Sequence, residues 1–430
     1  MNGLAYKFYD GVVNGEIKID GENLLEKELY DIGKKVGSIF QNPKSQFFAD
    51  NVEDEIAFGL ENYGLEREEI DRRIKKALSS INGYDLIHEN LFHLSSGERQ
   101  KVAIASINAL DPPIYVFDEP SSNLDMKSVE VLRNLMLSLK NEGKTIIVSE
   151  HRIYYLKDIV DRFYYLEDGE IIDSFTGDEL NSFADEFFID KGLRFYSLDK
   201  VITNTQKLNE VNSLDLDKIS FSYNKKQVFK NLSYSFKSGN IYGIIGDNGA
   251  GKSTLFKLLS GLLKEKSGKI SINGNVLNKR KRLKKIFYLS NNADSNLFEA
   301  SLEDELKLND PEADVDKILK DFKLESVKDL HPQILSGGQK QRLTIAVSEL
   351  LERNVYLFDE PTSGLDGNNM RIISRKLKEL QEKQKLILLI SHDYEFLMNT
   401  CNIILHLDQN NFKEFNSEKD KDKILKILLK

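Results

Sequence analysis

The sequence predicts an α/β protein built from two tandem copies of one unit, and three observations support this fold class. Motifs of the first half recur in the second half at a constant distance, strand-length apolar runs alternate with helix-length segments, and one run leads into a glycine-rich phosphate loop. Such alternation is typical of a mostly parallel sheet flanked by helices. We place the two domains at residues 1–200 and 201–430, since 430 residues suit two or more domains.

The internal repeat has one spacing throughout. LSSGERQKVAIAS returns as LSGGQKQRLTIAV, FDEPSSNLD returns as FDEPTSGLD, and a histidine that follows an apolar run returns after the corresponding later run. The paired positions, each 241 residues apart, are Leu94 and Leu335, Asp118 and Asp359, and His151 and His392. Three motifs at one offset indicate a tandem duplication, which constrains the architecture before any local prediction is made.

Strand-length apolar runs occur at matching places in both halves. They cover Ile114–Phe117 and Thr145–Val148 in the first half, and Val355–Phe358 and Leu386–Ile390 in the second. Continuous apolar runs of this length suit strands that are buried on both faces of a parallel sheet. The pattern loses its periodicity near Lys191–Leu214, where we place the join between the halves.

Helix-length segments separate these runs. In LEREEIDRRIKKAL the apolar residues Ile70, Ile74 and Leu78 recur every four positions on an otherwise charged segment. This spacing predicts an amphipathic helix with one buried stripe. Strand, helix and strand therefore alternate within each half, as the fold class requires.

A glycine-rich loop stands between a predicted strand and a predicted helix in the second half. After IYGII the chain reads GDNGAGKST and then LFKLLSGLL, which is the G-x-x-x-x-G-K-[S/T] pattern in the context it requires. Backbone N–H groups of such a loop and the helix N-terminus surround phosphate oxygens. Lys252 is expected to reach the terminal phosphates of a nucleotide, and Ser253 to bind Mg²⁺. The predicted nucleotide-binding residues of the loop are Gly246, Asp247, Asn248, Gly249, Ala250, Gly251, Lys252, Ser253 and Thr254.

Polar residues at later strand ends complete a candidate catalytic site together with Lys252. Asp359 and Glu360 close an apolar run, which suits a carboxylate bound to Mg²⁺ followed by a glutamate that polarises the attacking water. His392 also follows a strand, where its imidazole can contact the γ-phosphate; a structural histidine is the alternative. Tyr223 is placed to stack on the base, with packing in the core as the alternative.

The order of LSGGQ or LSSGE, then FDEP, then SGLD or SNLD, then a strand-end histidine resembles the ABC-type ATPases over essentially the whole chain. In that family two ATP-binding domains, each a sheet core with a helical subdomain, pack head to tail with ATP between them. The resemblance implies ATP and Mg²⁺ as cofactors and an intramolecular pairing of the two halves. In that pairing the loop Gly246–Thr254 would meet Ser95, Ser96, Gly97 and Glu98 of the first half.

More narrowly, SIFQNPKSQFF, LSSGERQKVAIAS, DEPSSNLD and FIDKGLR look like the tandem ATPase of energy-coupling factor importers. These bacterial systems take up vitamins and trace metal ions. The resemblance implies an ATPase at the cytoplasmic face of the membrane, held there by a coupling transmembrane protein and a substrate-capture membrane protein. Segments Ser45–Phe48 and Ser295–Phe298 would lie near the groove that receives helices of the membrane partner, with internal aromatic packing as the alternative.

Composition restricts the partners. The chain has 60 basic and 69 acidic residues, a net charge of −9, so we expect no nucleic-acid partner. Its first residues show no basic region followed by an apolar one, so we expect no secretory leader. No apolar run approaches the ~20 residues that span a bilayer, so any membrane association is expected to come through partners. The alternatives are a soluble tandem ABC ATPase that acts on ribosomes or nucleic acid, and a non-catalytic fragment.

The two halves differ in two respects. Asn291 stands where the first half has Gln41, and we assign this shorter amide to the nucleotide site as well. Residues 1–4 align with residues 259–262, so the first half lacks counterparts of residues 214–258, including a phosphate loop. Because loss of a central strand exposes a sheet edge, we expect a functional protein that extends upstream of Met1. A degenerate protein with one ATP site is the alternative.

Overall fold

Each half of the chain builds its own parallel sheet, as the sequence predicts. The computed structural model describes residues 2–8, 11–206, 208–224, 226–291, 296–362, 364–408 and 411–429. The chain divides into two units, Met1–Ser182 and Phe183–Lys430. Residues 183–200, which the sequence-based division assigns to the first domain, are grouped with the second unit.

The first unit has a parallel sheet with the strand order β3-β4-β5 and a separate antiparallel hairpin, β6-β7. Its strands are β1 (Lys18–Ile19), β2 (Glu22–Asn23), β3 (Val36–Ile39), β4 (Ile114–Asp118), β5 (Thr145–Ser149), β6 (Phe163–Glu167) and β7 (Glu170–Phe175). Its helices are α1 (Leu4–Lys7), α2 (Leu29–Lys35), α3 (Val52–Asn62), α4 (Arg67–Ser80), α5 (Ser96–Leu110), α6 (Met126–Asn141) and α7 (Gly177–Ser182).

The second unit is more complete. Its strands are β8 (Ser213–Tyr223), β9 (Lys226–Lys237), β10 (Ile241–Ile245), β11 (Ser267–Ile272), β12 (Asn275–Val276), β13 (Ile286–Leu289), β14 (Val355–Asp359), β15 (Leu386–Ile390), β16 (Ile403–Asp408) and β17 (Asn411–Asn416). Its helices are α8 (Asp185–Asp190), α9 (Lys252–Ser260), α10 (Lys279–Lys285), α11 (Leu302–Asn309), α12 (Val315–Asp321), α13 (Gly337–Leu350), α14 (Gly367–Glu382), α15 (Tyr394–Thr400) and α16 (Lys421–Leu428).

Two sheets meet in the second unit. The main sheet has the strand order β13-β14-β15-β10-β16-β17, in which only the pairing of β16 with β17 is antiparallel among the described strands. An antiparallel sheet, β12-β11-β8-β9, packs its apolar face into the same core as α9. Every residue of β10, β14 and β15 is buried, which explains why their sequences are apolar without alternation. The predicted fold class is confirmed.

Helices α3, α4 and α5 pack together beside the sheet of the first unit. The predicted amphipathic stripe lies on α4, where Ile70, Ile74 and Leu78 are buried. Helices α11 and α13 occupy the corresponding place in the second unit. These helices position the segments that begin with LSSGE and LSGGQ at the starts of α5 and α13.

The units differ at the strand that carries the phosphate loop. In the second unit, β10 lies between β15 and β16. In the described part of the first unit no strand fills the matching place between β5 and β6, so β5 is a sheet edge. Ile147 of β5 is 36% exposed, whereas its counterpart in β15, Leu388, is 0% exposed. Among the described residues, the first unit therefore has no strand that leads into a phosphate loop, as the sequence predicts, and its sheet keeps an open edge there.

This difference predicts unequal costs for matched substitutions. We expect Leu388→Ala to lower the free energy of unfolding by about 2–5 kcal/mol, because it empties a filled core site. Ile147→Ala should lower the free energy of unfolding by less than about 1 kcal/mol, because the side chain is already partly in solvent. Thermal unfolding of the 430-residue chain, followed by far-UV circular dichroism, measures both. Equal losses would contradict an open edge at β5.

Candidate functional site

The phosphate loop joins the buried strand β10 to α9, as the sequence predicts. Residues 246–251 form the loop, and α9 begins at Lys252. Gly246 has a φ of 151°, and a Cβ there would lie 2.6 Å from a backbone oxygen of β16. Gly251 has a φ of 100°, and a Cβ there would lie 2.8 Å from a phenylalanine ring of β9. Both positions require glycine, because a side chain would meet both steric conflict and an unfavourable backbone conformation.

Lys252 is held at this loop. Its ammonium group, on a residue only 8% exposed, donates hydrogen bonds to the backbone oxygens of Gly246 at 2.6 Å and Asp247 at 3.1 Å. The loop residues Asp247, Asn248 and Gly249 are themselves exposed. A buried cation beside exposed backbone and a helix N-terminus forms a site for an anion of the phosphate class.

Two oxygen groups that can bind Mg²⁺ lie beside Lys252. The hydroxyl of Ser253 forms a hydrogen bond with the carboxylate of Asp359, the buried last residue of β14. The hydroxyl of Tyr288 donates to Oδ2 of the same carboxylate at 3.2 Å. Mg²⁺ commonly takes one or two such protein oxygens and completes its shell with water and substrate phosphates, so Ser253 and Asp359 fit this ion.

Burial raises the pKa of Asp359, although the hydrogen bonds from Ser253 and Tyr288 and the nearby charge of Lys252 oppose the shift. A raised pKa means that the folded protein holds this proton more tightly than the unfolded chain does. The ionised carboxylate therefore destabilises the folded state at neutral pH, and the penalty vanishes at pH values below the unfolded pKa of about 4.

Asp359→Asn is therefore expected to raise the melting temperature of the nucleotide-free protein at neutral pH by about 2–4 °C. The gain should disappear below about pH 4, where the carboxyl group is protonated in both states. The pKa of its counterpart Asp118 is also raised, by partial desolvation and by the nearby charge of Glu119. Because Asp118 is more exposed than Asp359, Asp118→Asn should give a smaller gain. Differential scanning calorimetry across pH measures both variants. A lower melting temperature for Asp359→Asn at neutral pH would contradict this account.

Glu360 and His392 come together at adjacent strand ends. Glu360 has a φ of 53°, in the left-handed region, and its backbone N–H donates to the carbonyl of Ile390 at 2.9 Å. Nε2 of His392 lies 3.6 Å from Oε1 of Glu360. A non-glycine residue in this conformation stores about 1–3 kcal/mol of strain, and such strain is concentrated at functional sites.

The first unit repeats this geometry. Glu119 has a φ of 43°, and Nε2 of His151 lies 3.1 Å from its Oε1. Gln41 donates from Nε2 to Oε2 of Glu119 at 2.6 Å. The strained glutamate and the strand-end histidine are therefore a feature of both copies, although only the second copy has a phosphate loop beside them among the described residues.

The other predicted nucleotide contacts lie at the surface of the second unit. Tyr223 ends β8, is 44% exposed, and contacts Phe221 edge to face with ring centroids 4.9 Å apart. Its exposed ring is available to a base, so the stacking role stays a prediction. Asn291 is exposed just beyond the end of β13. Residues 292–295, which follow it, lie outside the described residues.

The predicted signature residues open α5. The hydroxyl of Ser95 accepts a hydrogen bond from the N–H of Glu98 at 3.3 Å, and the Glu98 carboxylate accepts one from the N–H of Ser95 at 2.8 Å. Ser336 and Gln339 form the same reciprocal cap at the start of α13. Glutamate and glutamine thus fill the same local role, which explains why LSSGE and LSGGQ begin helices alike. Ser96 is exposed and Gly97 half-buried at this helix start.

The structure brings together some of the predicted site residues of the second unit. The loop, Ser253, Asp359, Glu360 and His392 lie at the ends of the neighbouring strands β10, β14 and β15. The approach of Ser95, Ser96, Gly97 and Glu98 to this loop stays a prediction. Sequence reasoning missed Tyr288, whose phenol bonds Asp359; the signal was a tyrosine in the otherwise apolar strand IFYL.

Comparison with known proteins is consistent with these features. The family model described as ABC transporter matches residues 5–122 and 229–363. A candidate ABC transporter ATP-binding protein of Treponema denticola is 37% identical over 425 residues, covering 96% of this chain and 87% of that protein. YkoD of Bacillus subtilis, a candidate HMP/thiamine import ATP-binding protein, is 29% identical to this chain. The alignment covers 95% of this chain and 81% of YkoD.

Solved structures with the same fold include two that are distant in sequence. RNase-L Inhibitor gives a TM-score of 0.66 at 22% identity, covering 91% of this chain and 77% of that one. The archaeal ribosome recycling factor aABCE1, in complex with the ribosomal stalk protein aP1, gives a TM-score of 0.65 at 21% identity. This match covers 91% of this chain and 76% of the aABCE1 chain. At these identities the two structures show the fold alone. Because one family model matches both halves and the Treponema relative aligns over nearly the whole chain, this protein belongs to the ABC transporter family of ATP-binding proteins.

Proposed function

We propose that this protein is the ATP-hydrolysing subunit of a membrane importer of the energy-coupling factor type, which takes up vitamins or trace metal ions. The described residues contain no helix long and apolar enough to cross a membrane. We propose that the chain acts at the cytoplasmic face through membrane partners, a coupling protein and a substrate-capture protein. A relative named for HMP/thiamine import supports this assignment.

One observation carries the membrane-partner proposal: an exposed phenylalanine is held in the same way in both units. The backbone N–H groups of Phe48 and the next residue donate to Glu55 at 2.8 and 2.9 Å. Phe298 and the next residue donate to Glu305 at the same two distances. The glutamates are 5% and 2% exposed, whereas the two phenylalanines are 76% and 74% exposed. Of the segment 295–298, residue 295 lies outside the described residues.

The exposed positions of these two rings carry a free-energy cost. Leaving a phenylalanine in water forgoes about 1.5–3 kcal/mol of burial free energy. In each unit a buried carboxylate holds the backbone N–H of this phenylalanine. Phe48 also stacks on Phe58, which is 42% exposed, at 5.0 Å between ring centroids. Because the same exposed ring follows from the same backbone contact in both units, it supports a partner contact that both copies share. The pair Phe48 and Phe298 is therefore our proposed contact for apolar helices of the membrane partner.

At the second unit we propose the following roles for nucleotide binding. The N–H groups of residues 246–251 and the ammonium group of Lys252 bind the phosphates. Ser253 and Asp359 would hold Mg²⁺, which when bound neutralises phosphate charge. In this proposal Tyr223 stacks on the adenine, and the amide of Asn291 belongs to the same nucleotide site.

Hydrolysis is assigned to the strained glutamate. A carboxylate oxygen of Glu360 accepts a proton from the attacking water, and the imidazole of His392 contacts the γ-phosphate. Ser95, Ser96, Gly97 and Glu98 of the first unit would close the site from the opposite side, so that ATP binding pairs the two halves. Closure of this kind transmits binding energy to a partner.

We further propose that the open edge at β5 receives a strand with a phosphate loop in the working protein. The exposed side chains of β5, including Ile147, and the separate β6-β7 hairpin support this proposal. Glu119, His151 and Gln41 already hold the geometry that a second ATP site needs. Amide hydrogen exchange at residues 145–149 tests it. We expect slower exchange in the protein from its native source than in the 430-residue chain, and equal rates would refute the proposal.

The importer role is tested by purification from detergent-solubilised membranes through a C-terminal tag, followed by mass spectrometry. We expect polytopic membrane proteins to copurify, and to be lost in the double variant Phe48→Asp/Phe298→Asp. Phe92→Asp is the matched control, since Phe92 is 77% exposed but lies outside the repeated pair. Copurifying ribosomal proteins, or no membrane proteins at all, would overturn the proposal in favour of a tandem ATPase that acts on ribosomes.

A further inference from the structure

A buried arginine links two loops of the second unit. Arg194 is 3% exposed. Its Nη2 donates to the two carboxylate oxygens of Asp393 at 2.6 and 2.7 Å, and its Nε donates to Oε2 of Glu395 at 2.7 Å. Its Nη1 donates to the backbone oxygen of Leu365 at 3.4 Å. One guanidinium therefore connects the turn after His392 with the SGLD loop.

The first unit makes the same connection with a different residue. Position 393 of the second unit corresponds to Arg152, which follows His151 directly. Nη1 of Arg152 donates to the backbone oxygen of Leu124 at 3.3 Å. Leu124 is the counterpart of Leu365 at the same 241-residue spacing. A guanidinium thus binds the same carbonyl in both units, although the second unit has an aspartate where the first has its arginine.

In the second unit the guanidinium comes from the segment that precedes the sheet. That segment is seated on the start of α14, directly after the SGLD loop. The carbonyl of Gly192 accepts from the N–H of Asn368 at 3.1 Å, and the carbonyl of Leu193 accepts from Nη1 of Arg371 at 3.1 Å. A Cβ on Gly367 would lie 2.2 Å from the Leu193 oxygen, so this close approach requires glycine there.

We propose that Arg194 is a positioning residue for ATP hydrolysis in the second unit. It acts through Asp393 and Leu365 to hold the turn after His392 and residues 364–366 in one arrangement. The positions of the hydrolytic residues then depend on the contact of residues 192–194 with the start of α14. These residues belong to the connection between the two repeats. This inference rests on the proposed roles of Glu360 and His392.

The test must avoid a simple folding failure, because removing Arg194 alone leaves two buried carboxylates without their cation. A variant that replaces all three charged groups by neutral ones, Arg194→Met/Asp393→Asn/Glu395→Gln, removes the connection and leaves none of the three charges buried; we call it the charge-balanced variant. A transplant variant, Arg194→Met/Asp393→Arg/Glu395→Tyr, installs the residues that the first unit has at positions 152 and 154. Arg375→Met is the control, since Arg375 lies on the same helix α14 but is exposed and pairs with Glu379, away from residues 192–194 in the described contacts.

We expect the charge-balanced variant to lower kcat for ATP hydrolysis by about 10–100-fold, with KM changed by less than about threefold. The transplant variant should return kcat to within about threefold of wild type. The control variant should also have a kcat within about threefold of wild type. A charge-balanced variant with wild-type kcat would overturn the inference. So would a transplant variant as slow as the charge-balanced one, since the guanidinium would then not be the group that matters.

Hydrogen exchange separates this inference from the proposed function. Exchange of residues 364–367 and 391–396 should be faster in the charge-balanced variant than in wild type, and slow again in the transplant variant. If the wild-type chain hydrolyses no more ATP than Glu360→Gln, the proposed function fails and the exchange data alone decide whether Arg194 fixes the two loops. Unchanged exchange in the charge-balanced variant would then refute it.

Discussion

Glu360→Gln is expected to lower kcat for ATP hydrolysis by about 10²–10⁴-fold, the usual contribution of a general base. The amide has the shape of the carboxylate but cannot take the proton of the attacking water. Glu360 is held at a φ of 53° with its N–H bonded to the carbonyl of Ile390, so the substitution should not move the backbone. ATP affinity should stay within about threefold of wild type. Phosphate release at saturating ATP measures the rate.

Glu119→Gln is the matched control, because Glu119 has the same strained backbone and a histidine at 3.1 Å. No phosphate loop accompanies it among the described residues of the first unit, so this variant of the 430-residue chain should keep kcat within about twofold of wild type. If Glu360→Gln hydrolysed ATP at the wild-type rate, the assignment of Glu360 would be wrong. If both variants lost activity equally, hydrolysis would not be confined to the second unit.

Lys252→Ala is expected to weaken ATP binding by about 10–100-fold, since a hydrogen bond to a charged group contributes about 1.5–3 kcal/mol. Lys252 is the buried cation of the phosphate loop, and its ammonium group now donates to the carbonyls of Gly246 and Asp247. Phosphate oxygens are stronger acceptors for a cation than these carbonyls are. Equilibrium titration with a fluorescent ATP analogue gives the dissociation constant.

Lys257→Ala serves as the control for helix and charge. Lys257 lies on the same helix, α9, but is exposed, and its removal changes the net charge by the same amount. Its dissociation constant should stay within about twofold of wild type, since the charge of an exposed side chain is largely screened by water and salt. A comparable loss in both variants would mean that general charge, and not the position of Lys252, governs binding.

The parts of the fold that could be predicted depend on local or repeated patterns. The constant spacing from Asp118 to Asp359 and from His151 to His392 predicts that the same strands recur, and β4, β5, β14 and β15 do so. The phosphate loop is recognisable because its backbone requires glycine at positions such as Gly246 and Gly251, a requirement that acts within a few residues. Buried parallel strands also reveal themselves, since both faces must be apolar.

The parts that could not be predicted depend on contacts between distant residues. Arg194 precedes Asp393 by nearly half the chain, and no local pattern marks the pair. The same contact and the seating of residues 192–194 on α14 explain why the structure groups residues 183–200 with the second unit. The exposure of Phe48 and Phe298 is likewise a property of packing, because an aromatic ring in a loop is as compatible with a core position as with the surface.

The central claim is that the second unit binds one nucleotide and that the first unit, in this chain, binds none. Native mass spectrometry of the 430-residue protein with Mg²⁺ and a slowly hydrolysed ATP analogue counts bound nucleotides directly. At an analogue concentration about three times the wild-type dissociation constant, the account predicts mostly one nucleotide per wild-type chain and mostly none for Lys252→Ala. Two nucleotides per chain, or equal occupancy in Lys252→Ala and wild type, would contradict it.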